Sequence, residues 1–249
     1  MMGKNMKPRF LDNLRNLFTT TQRDGVGAAN FPGDFEIATI EQIHQAVMPV
    51  AQAMLEPRGF KEQKPLCWLR SEDMPIRQVF RLLQWKGGII APSWGLSLDF
   101  VPHVSTHAVK WHRTEKSAGF DVIHDANDRA LEMPFHYGTK DIIERAPEVL
   151  RQALARADIF WHSVRTIDEL PGVFAALKQE NGVHFYMRTQ HALACAFSLA
   201  KNGQREAGIK ELEIFIAQKE PFISPASADA IKKRLWDLFD EACEQRGNS

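Results

Sequence analysis

Three cysteines in 249 residues, Cys67, Cys195 and Cys243, are too few and too widely spaced for a disulfide framework, and none has the paired spacing of a structural zinc site. They read as reduced thiols. Net charge is also missing, since 31 basic residues balance 31 acidic ones, so no overall field draws the chain to nucleic acid or to an anionic membrane. No run reaches the roughly 18 apolar residues of a membrane span. Behind the basic N-terminus, Phe10-Leu11-Asp12-Asn13-Leu14-Arg15 carries charge where a signal segment would be apolar. These absences favour a cytoplasmic protein that engages no membrane. No Gly-x-Ser-x-Gly elbow occurs, and neither Gly25-Val26-Gly27 nor Gly87-Gly88 has the lysine-serine ending of a phosphate loop. Asp125-Ala126-Asn127-Asp128 lacks the later glycine and glutamate of a calcium loop. No cofactor is expected.

What is present is material for a core: 44% hydrophobic and 10% aromatic residues exclude a disordered chain. Residues 1–38 hold a short amphipathic piece and then the Gly/Pro-rich Asp24–Asp34, which predicts a loosely packed arm. Thr39 and Gln42 form a capping-box pattern ahead of Ile40, Ile43, Val47, Val50 and Met54 at helical spacing, with Pro57-Arg58-Gly59 as the stop. Pro49 within that run predicts a kink. The period then shortens: Leu66–Arg70, Ile76–Trp85 and Trp94–Val101 read as strands, with Val109–Arg113 and Phe120–His124 as further candidates. Trp94, Leu96, Leu98 and Phe100 alternate with small or polar residues, the pattern of a half-buried strand. Helical spacing returns from Ile142 to Phe160, a capping box recurs at Thr166 and Glu169, and three helices follow to about Gln245. The fold class is therefore α+β, with an antiparallel sheet of four or five strands packed with helices and an all-helical C-terminal section. Three segments are expected: an arm over 1–38, an α+β domain over 39–165 and a helical extension over 166–249.

The order helix, Arg58-Gly59-Phe60-Lys61, strand with Trp68, then strands ending in Gly95-Leu96-Ser97-Leu98-Asp99-Phe100, resembles a bacterial family known as domain of unknown function 4304, over about residues 40–164. That resemblance implies an α+β fold and supplies no catalytic residue. Ala192–Ala200 and Ala207–Phe215, with Gly203 between them, resemble one tetratricopeptide-style hairpin, departing at Gly208 where alanine is usual. No second copy follows, so ordinary helix packing is the reading.

The densest concentration of chemistry-bearing residues is Asp99, His103, His107, His112, Asp121, His124 and Asp125. Imidazole and carboxylate are zinc or iron ligands, so Asp99, His103, His112 and His124 define one alternative, a metal-dependent hydrolase with a metal-bound water. Against it, these residues lie on strand and loop, where positions four apart are separated by about 13 Å. Trp94 and Trp111 place aromatic rings beside His112, Arg113, Asp99 and His103, a composition suited to a protein-binding face. The competing reading of such alternating rings is plain core. Arg70, Arg77, Arg81 and Lys86 form a basic stripe diluted by Glu72 and Asp73, and a nucleic-acid role is disfavoured. Cys67 and Cys195 sit in apolar segments where a thiol is inert. The favoured reading is a non-catalytic module of the immunity or regulatory type that binds a protein partner.

Overall fold

The computed structural model describes residues 38–71, 75–85, 88–110, 114–125, 129–135, 138–182, 184–187 and 190–244. All that follows concerns the unit formed by residues 35–249. The expected N-terminal arm falls outside the described residues up to residue 37.

Thr39 opens helix α1 (Ile40–Leu55) as its sequence predicts: its hydroxyl accepts the Gln42 N–H at 3.2 Å while the Gln42 side-chain oxygen accepts the Thr39 N–H at 2.7 Å. Ile43, Val47, Ala51 and Leu55 form its buried stripe, and Pro49 sits on the exposed side of an uninterrupted helix. A short 3₁₀ turn ends at Gly59, whose φ of 80° turns the chain so that Phe60 enters the core.

The sheet follows. Strands β1 (Lys61–Lys64), β2 (Cys67–Arg70), β3 (Ile76–Trp85) and β4 (Ile89–Leu98) are consecutive antiparallel neighbours. A ribbon of β5 (His103–Val104) and β6 (Val109–Lys110) stands apart from them. β7 (Val122–Asp125) pairs with the C-terminal half of β4, and β8 (Met133–Pro134) with its N-terminal end. The order is β1-β2-β3-β4-β7, with β8 on the same edge of β4. The expected α+β class and antiparallel sheet are therefore present. Val109–Arg113 differs from expectation, since its described part joins the separate ribbon.

Alternation gives the two faces different roles. Trp68, Phe80 and Trp94 lie opposite one another across β2, β3 and β4, and join Leu96, Leu98 and Val122 in the main core. Helix α2 (Lys140–His162) packs there, burying Ala146, Leu150, Ala153, Ala157 and Trp161. The Trp161 indole N–H donates to the Gly95 carbonyl at 3.0 Å, and its ring lies 5.1 Å from that of Phe60. On the reverse face Cys67, Leu69 and Val79 form a smaller cluster with Ala118 and Phe120.

The remainder is helical, as its periodicity predicts. The Thr166–Glu169 capping box leads into α3 (Leu170–Asn181), followed by α4 (His184–Met187), α5 (His191–Lys201), α6 (Arg205–Lys219) and α7 (Ala228–Glu244). Every residue of α5 from His191 to Ala200 is buried, because α3, α6, α7 and the edge of the sheet surround it. His191 Nε2 accepts the Ile123 N–H of β7 at 3.0 Å, which covers part of a strand edge that would otherwise be open. Gly208 has a steric cause: a Cβ there would lie 2.8 Å from the Phe239 ring and 3.0 Å from the Ala196 carbonyl. One core runs from Ala38 to Ala242, including Val164 at the start of the helical section. Among the described residues no helix is long and apolar enough to cross a membrane.

Candidate functional site

The residues singled out from the sequence do not converge. Trp94 is 1% exposed and stacks on His124 with ring centroids 5.8 Å apart, so it belongs to the core and offers no face to a partner. Asp99 follows directly on β4 and binds Arg77, whose Nη2 lies 2.7 and 2.9 Å from its two carboxylate oxygens. With side chains 6% and 18% exposed, that is a buried structural ion pair. Arg77 leaves the sheet on the face opposite Trp94 and His124, while His124 lies between Trp94 and Phe160 with Nε2 3.9 Å from Glu180. Along β4, Asp99 is five residues beyond the partner of His124, about 16 Å by strand rise. His103 is exposed on the β5–β6 ribbon. Trp111, His112 and Arg113 lie outside the described residues. The structure therefore does not bring Asp99 and His124 together, and among the described residues no three His, Cys, Asp or Glu side chains form a metal-holding group. Asp121 is fully buried and accepts the Leu98 N–H at 2.8 Å, which fixes the end of β4. The basic stripe also divides, Arg70 on the helix-covered face and Arg77 and Arg81 on the other.

An open cleft of about 800 Å³ lies instead in the helical section. Its first wall is α3, where Pro171, Phe174, Ala175 and Lys178 share one face by their spacing of three, four and seven. Cys195 and Leu199 of α5 and the first two turns of α6, from Arg205 to Glu211, complete it. Gln204, the residue before α6, provides no side-chain cap, so the amides of the first turn lie at the cleft without one. Glu206, Lys210 and Ala207 are exposed on that rim.

The cleft is braced by a polar cluster. Lys178 Nζ donates to Glu211 Oε1 at 2.6 Å, the Tyr186 hydroxyl donates to the same oxygen at 3.3 Å, and the ammonium stands 5.3 Å from the Phe185 ring. Glu211 Oε2 is buried without a partner. Burial alone would lower the Lys178 ammonium. Its hydrogen bond to Glu211, with Cys195, the Glu211 charge and Tyr186, outweighs that and holds it above the ordinary lysine value. Burial, then the Glu211 carboxylate, raises the Tyr186 phenol. Burial pushes the Cys195 thiol up to about 12, against the opposing pull of Lys178. At neutral pH the lysine is charged, and the thiol and phenol are neutral.

These shifts make a prediction. An unfolded Cys195 ionises near 9.0 and the folded one near 12, so the folded state holds more protons between those values and stability falls as pH rises through them. Lys178 and Tyr186, both raised, act with the same sign, each starting from its own unfolded value. Urea midpoints measured from pH 7 to 11 should decline, and Cys195→Ala should flatten the decline above pH 9. An unchanged slope in that variant would place the alkaline limb elsewhere. Disulfide-exchange reagents should label the partly exposed Cys243 well before Cys195 in native protein.

Sequence reasoning passed over this site because α6 has no clean apolar stripe. Its buried positions are Gly208, Glu211, Leu212 and Phe215, and two of those four carry no apolar side chain. The usable signal is Glu211 itself, a carboxylate at an inward position of the pattern 208, 211, 212, 215. Comparison of the chain with protein-family models, with curated proteins and with solved structures yields no match.

Proposed function

We propose that this protein is a non-catalytic binding module and that the cleft between α3, α5 and α6 receives a segment of a protein partner. The observation that carries the reading is the cleft itself: an open hollow of about 800 Å³ whose rim exposes Glu206, Ala207 and Lys210 beside the α3 wall of Pro171 and Ala175, the mixed polar and apolar lining that suits a peptide segment. The uncapped N-terminus of α6 and the Lys210 ammonium suit a hydrogen-bond acceptor on the partner, and Pro171, Ala175 and Leu199 suit an apolar side chain beside it. An immunity or regulatory role in the cytoplasm fits this reading, the latter supported by three free cysteines. Affiliation with family 4304 is part of the same proposal, supported by the order of α1, the Gly59-Phe60-Lys61 step and β1 to β4.

The test is site-specific photo-cross-linking in the cells that make the protein. A photo-reactive side chain in place of Glu206 on the cleft rim should give one discrete protein adduct, and the same group in place of Lys140, 82% exposed on α2, should not. Equal adducts from both positions would remove the cleft from the account.

A further inference from the structure

We propose a second site, independent of the cleft: the hollow of about 280 Å³ between the ends of β2, β3 and α2 binds an oxyanion of phosphate size. Arg70, Gln78, Trp161, His162 and Arg165 line it, two guanidinium groups and no carboxylate.

Arg70 is fixed before any ligand arrives. Its Nη1 donates to the Arg58 carbonyl at 3.0 Å, its Nη2 donates to Gln78 Oε1, and its guanidinium lies over the Phe60 ring at 5.2 Å. Gln78, directly opposite Arg70 in the sheet, is itself buried. Those two bonds use two of the five N–H groups of a guanidinium, and the plane that carries the others cannot easily turn. Arg165 is the exposed counterpart: its backbone N–H donates to Glu169, whose carboxylate also feels the Arg165 charge, and its guanidinium makes no hydrogen bond or ion pair among the described residues. Trp161 spends its indole N–H on Gly95 and offers an apolar wall. His162 donates Nδ1–H to the Asp158 carbonyl, which leaves Nε2 uncommitted. Asp158, the carboxylate one turn earlier, faces Arg58 at 3.8 Å. A fixed guanidinium and an exposed one lining the same small hollow supply the charged N–H donors that a phosphoryl group takes up.

Cations near a helix C-terminus also complement its dipole. Here the last carbonyls of α2 are already served: Ser163 donates its N–H and its hydroxyl to Phe160, and the Val164 N–H reaches Trp161. A dipole role would in any case need no added anion, and this separates the two readings.

Isothermal titration of the full chain with inorganic phosphate, at constant ionic strength set by sodium chloride, should show one saturable site per chain. Arg165→Gln should weaken it at least about tenfold, the loss expected for one charged hydrogen bond, and Arg165→Lys should restore part. Lys140→Gln, an equal change of charge on an exposed residue, should leave the affinity as it was. Phenyl phosphate in a parallel arm binding more tightly than inorganic phosphate would indicate an attached phosphoryl group, and the reverse order a free ion. No saturable heat from either, or an unchanged affinity in Arg165→Gln, would overturn the proposal. Neither outcome bears on the cleft.

Discussion

Gly95→Ala should cost about 3 kcal/mol or more, or prevent folding, although it adds a single methyl group. A Cβ at residue 95 would stand 1.9 Å from the Val122 carbonyl oxygen and 2.9 Å from the Phe120 ring. The ring could swing aside. The carbonyl cannot, because Val122 lies in β7, which pairs with β4 across Leu96↔Val122 and Gly95↔Ile123. Relief requires β7 to move away from β4, and the same carbonyl group of Gly95 that receives the Trp161 N–H would shift with it. The substitution thus strains the strand pair and the seat of α2 together. Urea denaturation is the measurement. A loss below about 1 kcal/mol, the size of an ordinary surface change, would mean that β7 does not approach β4 so closely.

The Lys178–Glu211 pair should respond asymmetrically. Lys178→Met leaves the Glu211 carboxylate, in a residue 8% exposed, without its cation, and a loss of about 3 kcal/mol is expected for an uncompensated buried charge. Glu211→Leu leaves a lysine whose side chain is 29% exposed and whose stem can carry the ammonium outward, so about 1 kcal/mol is expected. The double variant should recover most of the larger loss, because apolar residues of similar volume can replace a buried pair at little cost. A coupling energy near zero in that cycle would show that the two groups do not depend on each other.

These two sites differ in how much of them the sequence carries. α1, β3, α2 and α7 are legible from periodicity and caps, because each sets a buried stripe or an alternating face against one core. β1 is not: Lys61-Glu62-Gln63-Lys64 is an exposed polar edge with no apolar face, and its turn uses Leu66 at φ 61° where glycine or asparagine would signal the reversal. Leu66 holds that conformation because its side chain is buried and its N–H donates to Glu62 Oε1 at 3.0 Å. Asp99 and His124 illustrate the limit for sites. Their composition suggested one cluster, yet strand alternation and the Arg77 pair put them on different faces, which requires the register of β3, β4 and β7. Lys178, Tyr186, Cys195 and Glu211 come from four helices, and only packing unites them.

The claim that the cleft is the recognition surface is tested most directly by filling it. Ala175 is exposed on the α3 wall, so Ala175→Arg obstructs the cleft without disturbing the core, and Ala155→Arg makes the same change on the exposed side of α2. With the photo-reactive group at residue 206, the expected result is loss of the adduct in Ala175→Arg and its full retention in Ala155→Arg, at unchanged melting temperature in both. An adduct that survives Ala175→Arg undiminished would contradict the account.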